Sequence, residues 1–203
     1  MTQAALRAGP AMVAAGLCAA ALLVSACVAA AVGGAGLGAS AVYTASETRT
    51  VDQVATDNRI QIHINRQIFD ESAGLFVDVR TVVYRRRVLL LGAVEASDDR
   101  DLVAQLSRQV EGVREVINEI DVVGAGLVDA AADRVLEKSI QGRLLTERDI
   151  ASANYRVRVA GRKVLLIGCA LDSAELIRVR LIIAEKAPDH VLRDYVKIGA
   201  ACA

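Results

Sequence analysis

Two segments of the chain each begin with apolar residues at a spacing of four, which is typical of the buried face of a helix. These residues are Ile60, Ile64 and Ile68 in the first segment and Leu136, Ile140 and Leu144 in the second. In the first segment Ile62 also permits the alternation of a strand, but Lys138 takes its place in the second. We therefore predict a helix at the start of both segments.

An alternating pattern and then a continuous apolar run follow each predicted helix. The alternating residues are Val77, Val79, Thr81 and Val83 in the first segment and Tyr155, Val157 and Val159 in the second. The apolar runs are residues 88–91 and 164–167, and a basic turn precedes each run. Each combination predicts a β-hairpin whose first strand is half-buried.

The remainder of each segment predicts a second helix and a final strand. Ser97 and Ser173 are the expected caps of these helices, and the strands lie near residues 116–123 and 190–198. Each segment then has the order αββαβ. We predict an α+β fold, in which two helices cover one face of a three-stranded mixed sheet.

The two segments are copies of one unit, because an offset of 76 residues superimposes them without a gap. The offset aligns Asp57 with Asp133 and Glu71 with Glu147. It predicts tandem domains at residues 57–123 and 129–198.

Gly92 and Gly168 stand at the same place in the two copies, directly after the apolar run. A glycine at such a position usually marks a bulge or a close approach of two backbones. We therefore predict that both glycines are structural and that neither belongs to a binding site.

The N-terminus has the pattern of a lipoprotein signal peptide. An apolar stretch over residues 11–24 follows Arg7 and is too short to span a membrane. It ends in Val24-Ser25-Ala26-Cys27, with an aliphatic residue three positions before the cysteine and small residues just before it. We predict that residues 1–26 are removed and that Cys27 is acylated.

Residues 27–56 are then expected to form an acylated tether without packed structure, since they are first small and apolar and then polar. The alternative for the N-terminus is an uncleaved anchor that continues through residues 28–42. That stretch is rich in alanine and glycine and is a weak membrane span, so the lipoprotein is favoured.

Composition and overall charge do not indicate a partner, but the net charge differs in sign between the two copies. The formal net charge is zero and aromatic residues make up 3% of the chain, which gives no indication of nucleic-acid binding. Residues 57–123 contain 9 Lys/Arg and 12 Asp/Glu, a net charge of −3. Residues 129–198 contain 13 Lys/Arg and 10 Asp/Glu, a net charge of +3.

No catalytic, metal or cofactor site emerges from the residue types. His63 and His190 occupy non-equivalent places in different copies. The acidic run at residues 98–101 lacks the ligand spacing of a calcium loop and suits the first turn of a helix. Cys169 and Cys202 remain after processing, and whether they pair is left open. We predict that the protein is not an enzyme.

The densest basic run is residues 85–87, in the predicted hairpin turn of the first copy. It could meet lipid phosphates or the acidic surface of a partner. A solvated turn is the favoured interpretation, because charge runs usually lie in solvent.

The ordered motifs resemble those of the BON (bacterial OsmY and nodulation) domain. They are "VLLLG" and "VLLIG" after basic hairpins and "VEGVREVINEI" at the end of the first copy, behind a lipobox. The doubled arrangement resembles dual-BON lipoproteins of the outer membrane. This resemblance implies a lipid-anchored protein on the periplasmic face of the outer membrane, which binds anionic phospholipid and supports envelope integrity.

The resemblance also implies that the first helix of the second domain, about residues 129–146, contacts the lipid. The candidate residues on it are Arg134, Val135, Lys138, Gln141, Arg143 and Leu145. One member of the family that this chain resembles carries an exposed tryptophan where this chain has Val135, and valine is the weaker interfacial anchor. The alternative function is a periplasmic adaptor that braces an envelope complex, with other envelope proteins as partners and the acidic first domain as its docking surface.

Overall fold

The computed structural model describes residues 47–123 and 130–202. They belong to one compact unit, Ser46–Ala203, which contains both predicted domains. Within the two described ranges, no helix has the length and hydropathy needed to cross a bilayer.

Domain 1 consists of three helices and three strands. They are α1 (Val51–Glu71), α2 (Ala73–Asp78), β1 (Val79–Tyr84), β2 (Arg87–Val94), α3 (Ser97–Gln109) and β3 (Glu115–Val122). The short helix α2 was not predicted, and it includes Val77, which the alternating pattern placed in a strand. Ser72 caps α2 by accepting a hydrogen bond from the backbone nitrogen of Leu75 at 3.3 Å, so the strand starts only at Val79.

Domain 2 repeats this order with a single helix before its hairpin. Its elements are α4 (Ala130–Thr146), β4 (Tyr155–Ala160), β5 (Lys163–Ala170), α5 (Ser173–Lys186) and β6 (Val191–Ile198). A 3₁₀ turn, Ser152–Asn154, stands where domain 1 has α2, and a second one, Gly199–Cys202, follows β6.

Both sheets have the predicted mixed topology. β2 lies between β1, its antiparallel partner, and β3, its parallel partner. β5 occupies the same central place between β4 and β6. The crossover helices α3 and α5 make the parallel pairings possible. The predicted α+β class and its αββαβ units are confirmed.

Helix α1 begins earlier than the sequence suggested. Thr50 and Gln53 form a capping box, in which each side chain accepts a hydrogen bond from the backbone nitrogen of the other residue. The helix starts at Val51, so the predicted extent of the tether, residues 27–56, is wrong at its C-terminal end.

The predicted caps Ser97 and Ser173 are the first residues of their helices. Asp172 caps α5 instead, since its side chain accepts a backbone N–H of the first turn. α3 has no side-chain cap, but its first turn contains Asp98 and Asp99. Acidic residues there interact favourably with the helix dipole.

The central strands contribute to a separate core on the helical side of each sheet. Successive residues of a strand point to opposite faces. Val88 and Leu90 of β2 join the core beneath α1 and α3. Val164 and Leu166 of β5 join the corresponding core beneath α4 and α5.

The intervening residues of the same strands form a third apolar cluster, shared by the two domains. Leu89 and Leu91 of β2 and Leu165 and Ile167 of β5 are fully buried in it. The two sheets therefore pack face to face, and the helices lie on the outer sides.

Opposite charges meet at the edge of this interface. Lys163 Nζ of β5 lies 3.1 Å from Glu119 Oε2 and 2.8 Å from Asp121 Oδ1 of β3. The Tyr195 hydroxyl of β6 donates to Glu119. Burial, together with this hydrogen bond, raises the pKa of Tyr195 to about 12. The acidic and basic domains neutralise part of their charge against each other.

The segment before α1 also joins the two domains. Glu47 Oε1 lies 3.1 Å from Arg156 Nη2 of β4. The backbone nitrogen of Thr48 donates to Asn154 Oδ1 at 2.7 Å. The expectation of an unpacked tether is thus wrong for residues 47–56, because their polar groups have partners in the folded unit.

Cys169 and Cys202, whose pairing the sequence left open, form a disulfide with a Cα–Cα distance of 5.8 Å. Both cysteines belong to the apolar cluster between the sheets. The bond fixes the C-terminal 3₁₀ turn to β5.

A buried carboxylate holds the hairpin turn of domain 1. Asp57 of α1 accepts hydrogen bonds from the backbone nitrogens of Arg85 at 2.7 Å and Arg86 at 2.8 Å. These two residues have φ angles of 51° and 63°, which are costly for residues other than glycine. Arg49 Nη1 lies 2.7 Å from Asp57 Oδ2 and balances its charge.

Asp133 has the corresponding role in domain 2. It accepts a hydrogen bond from the backbone nitrogen of Gly161 at 2.9 Å, and Gly161 has a φ angle of 55°. The offset that aligns Asp57 with Asp133 therefore aligns two turn-holding carboxylates.

We predict that Asp57→Ala lowers the free energy of unfolding by about 3 kcal/mol, because it leaves two turn N–H groups without their buried acceptor and removes one of the two carboxylates that pair with Arg49. Urea denaturation measures this loss. Asp70→Ala is the control, since Asp70 forms an exposed ion pair with Arg66 at 3.5 Å. That pair is worth less than about 1 kcal/mol, and equal losses would contradict the proposed role of Asp57.

The two aligned glycines lie where a central strand closely approaches the residue that precedes the neighbouring strand. A Cβ on Gly92 would lie 2.1 Å from the Asp78 carbonyl oxygen, and one on Gly168 would lie 2.3 Å from that of Asn154. Gly92 also has a φ angle of 131°, which side chains rarely permit. This geometry supports a structural role for both residues.

We predict that Gly168→Ala lowers the free energy of unfolding by about 2 kcal/mol, because the first strand of the hairpin must move away. Gly142→Ala should instead stabilise the protein by about 0.5–1 kcal/mol, since Gly142 lies in α4 and an added methyl group would have no neighbour within 4 Å. Urea denaturation of both variants tests this difference in sign, and an unchanged Gly168→Ala variant would contradict it.

Candidate functional site

Helix α4 carries all six residues predicted to contact lipid. Its buried residues are Asp133, Glu137, Ile140 and Leu144. The sequence predicted the two apolar ones, whereas Leu136, the third predicted core residue, is half-buried against the core. The apolar face fixes the helix on the sheet and leaves the opposite face in solvent.

Four of the six candidates are exposed, namely Arg134, Val135, Lys138 and Leu145. Val135 is 72% and Leu145 is 65% exposed. Lys138 Nζ lies 3.3 Å from the Gln141 side-chain oxygen, a long hydrogen bond that leaves the charge accessible. The structure thus brings two cationic and two apolar side chains to the outer side of one helix.

The other two candidates are half-buried and bound to groups of their own domain. Gln141 Nε2 donates to the Val157 carbonyl oxygen at 3.2 Å. Arg143 Nη1 lies 2.8 Å from Glu147 Oε2. These contacts place Gln141 and Arg143 at the border of the exposed face.

A cleft of 490 Å³ adjoins α4 and is lined by residues of both domains. Arg134 and Lys138 line it from domain 2, and Asn65 of α1 and Phe76 of α2 line it from domain 1. The sequence did not indicate this cleft, because it forms only where the two domains meet.

Glu137 lies at the centre of a charged cluster in the cleft. Its carboxylate lies 3.3 Å from Arg80 Nη1 of β1 and 3.3 Å from Arg158 Nη1 of β4. Sequence reasoning missed Glu137. The available signal was its spacing from Asp133 and Ile140, which places two acidic residues on the buried face of the helix.

The basic run at residues 85–87 forms the predicted turn, but the turn is not solvated as expected. All three side chains are half-buried. Arg86 Nε donates to the Gly112 carbonyl oxygen at 2.5 Å, and Arg87 Nη1 donates to that of Tyr195 at 2.7 Å. Through these contacts Arg86 holds the loop before β3, and Arg87 reaches β6 across the domain interface.

The remaining candidates for chemistry stay dispersed. His63 is exposed on α1, and His190 is half-buried just before β6. Among residues 47–123 and 130–202, no three His, Cys, Asp or Glu side chains are grouped so that they could hold a metal ion. The predicted acylation site Cys27 lies outside the described residues.

The repeated fold and its motifs match a known family. The sequence profile of the BON domain matches residues 56–124 and 132–197. The chain belongs to the BON domain family. The resemblance drawn from the hairpin and final-strand motifs is confirmed, and the two matched stretches correspond to domain 1 and domain 2.

Three relatives show how widely the similarity extends. A protein of the gshII 5′ region of Anaplasma centrale is 34% identical over 122 residues, which cover 59% of this chain and 80% of the relative. Outer membrane lipoprotein DolP of Haemophilus influenzae is 29% identical over 150 residues, which cover 72% of this chain and 76% of the relative. The 21 kDa hemolysin of Actinobacillus pleuropneumoniae is 24% identical over 123 residues, which cover 58% of this chain and 60% of the relative.

Proposed function

We propose that this protein is a non-enzymatic lipoprotein of the outer membrane, on its periplasmic face, whose second BON domain binds anionic phospholipid and supports envelope integrity. The observation that carries the proposal is the exposed face of α4, where Arg134 and Lys138 lie beside Val135 and Leu145. The similarity to an outer membrane lipoprotein supports the location.

The composition of this face suits a membrane surface. Each Lys or Arg close to an anionic bilayer contributes about 1 kcal/mol to binding. The apolar side chains can enter the boundary between head groups and acyl chains. Since Val135 anchors less well than a tryptophan, electrostatic attraction carries most of the binding by α4.

The lipid anchor and the α4 face have different tasks in this proposal. Acyl chains on Cys27 would hold the protein at the membrane, because a lipid modification combined with a basic surface gives stable attachment. The α4 face would then orient domain 2 and select anionic lipids.

We predict that Cys27 is the site of processing and acylation, because Val24-Ser25-Ala26 satisfies the lipobox at the end of the apolar stretch. Cys27→Ala should accumulate as an unprocessed precursor. Mass spectrometry of the mature protein should find acyl chains on Cys27 at the N-terminus, and an unmodified Cys27 would refute the prediction.

We predict that Arg134→Glu combined with Lys138→Glu abolishes binding of the fragment 46–203 to anionic liposomes, because the exposed face of α4 becomes negatively charged. The fragment contains both cores and the interface between the sheets. Flotation with the unmutated fragment should also weaken as salt rises, since salt screens exposed charges.

Arg59→Glu combined with Arg66→Glu is the matched control, because both arginines are exposed on α1 and the charge change is identical. This pair should retain most of the binding. Equal loss from both pairs would mean nonspecific attraction, and no flotation of the unmutated fragment would favour the adaptor function.

A further inference from the structure

We infer that the cleft between α4 and domain 1 is a pocket for the phosphate of an anionic phospholipid head group, and that domain 1 is part of it. The inference rests on the proposed function and extends it, since the α4 face alone would need no residue of domain 1. The volume of the cleft, 490 Å³, lies within the range of about 300–1,000 Å³ that is usual for small-molecule pockets.

The charge of the cleft fits an anion. Four cationic residues line it, together with one acidic residue. The cationic residues are Arg80 of domain 1 and Arg134, Lys138 and Arg158 of domain 2. Glu137 offsets one of these charges and leaves an excess of positive charge. The walls of a cleft concentrate the field of such charges and attract anions.

Glu137 organises the cluster. It pairs with Arg80 through Oε2 and with Arg158 through Oε1, and both guanidinium groups lie at the cleft. Arg80 also donates to the Val159 carbonyl oxygen of domain 2. Arg134 and Lys138, which are exposed on α4, are then the side chains that can close on a phosphate. Charge-assisted hydrogen bonds from arginine to phosphate are among the strong ones in proteins.

An aromatic rim indicates a lipid phosphate over a soluble one. Phe76 lines the cleft. The ring of Phe69 contacts the ring of Phe76 edge to face, with the ring centroids 5.5 Å apart. The two residues are 42% and 53% exposed, which is unfavourable in water. Beside a basic cleft, such rings can enter the interface of a bilayer while the phosphate occupies the cleft. This rim would supply the aromatic contact that Val135 does not provide.

Asn65 allows a test that leaves α4 unchanged, because it lines the cleft from α1. Asn65→Glu in the fragment 46–203 should weaken partitioning onto phosphatidylglycerol vesicles about fivefold, since it places a negative charge beside the phosphate. Asn65→Lys should strengthen partitioning by a similar factor. A change that merely disturbed the packing would weaken binding in both variants and would overturn the inference.

Asn58→Glu and Asn58→Lys are the matched controls, since Asn58 is exposed on the same helix and does not line the cleft. Both should change partitioning less than about twofold. Equal effects at positions 58 and 65 would show that only the overall charge matters and would overturn the pocket. If the unmutated fragment binds no vesicles, the proposed function itself fails, and the pocket fails with it.

The aromatic rim separates a lipid head group from a free phosphate. Phe69→Ala combined with Phe76→Ala should reduce vesicle partitioning severalfold, and phosphatidylcholine vesicles should bind none of the variants. Inorganic phosphate, titrated and followed by NMR chemical shifts, should bind weakly near Asn65 and compete with the vesicles. Phosphate binding that Asn65→Glu abolishes while vesicle binding stays unchanged would assign the cleft to a soluble anion and refute the lipid.

Discussion

The architecture depends on central strands that are apolar on both faces. A three-stranded sheet with helices on one side would leave Leu89 and Leu91 of β2, and their counterparts in β5, in contact with water. The face-to-face packing of the two sheets removes this apolar surface, at roughly 25 cal/mol for each Å² buried. Neither domain can bury its second face alone. The domains therefore form one unit, and the cleft at their boundary follows from that packing.

This packing also decides which charges remain available. Glu119 and Asp121 of the acidic domain pair with Lys163 of the basic domain, so part of the opposite net charge is used inside the protein. The acidic docking surface that an adaptor would use is correspondingly smaller. By contrast, Arg134 and Lys138 are exposed on α4 and line the cleft at the domain boundary, outside the apolar cluster between the sheets. Function is thus expected where the interface leaves positive charge unneutralised.

The duplicated positions show how two copies of one unit diverged. Asp57 and Asp133 keep the same task, holding a hairpin turn through backbone hydrogen bonds. Glu137 aligns with Gln61, whose neutral side chain donates to the Thr81 carbonyl oxygen of β1 at 3.0 Å. The change from an amide to a carboxylate allows domain 2 to gather arginines from both domains, which the first copy does not do with its glutamine.

The sequence by itself determined the four longer helices, the hairpins, the repeat and the family, because these follow from local periodicity and ordered motifs. It did not indicate the short helix α2. It also indicated the close approach at Gly92 and Gly168, since each directly follows the apolar run within a central strand. It could not determine the face-to-face packing of the sheets, the disulfide or the charged cleft. Those features join residues far apart in the chain, and periodicity shows that a strand face is apolar without showing what covers it. Only the tertiary structure placed Arg80 of one domain beside Glu137 of the other, because such a contact depends on how two finished surfaces fit together.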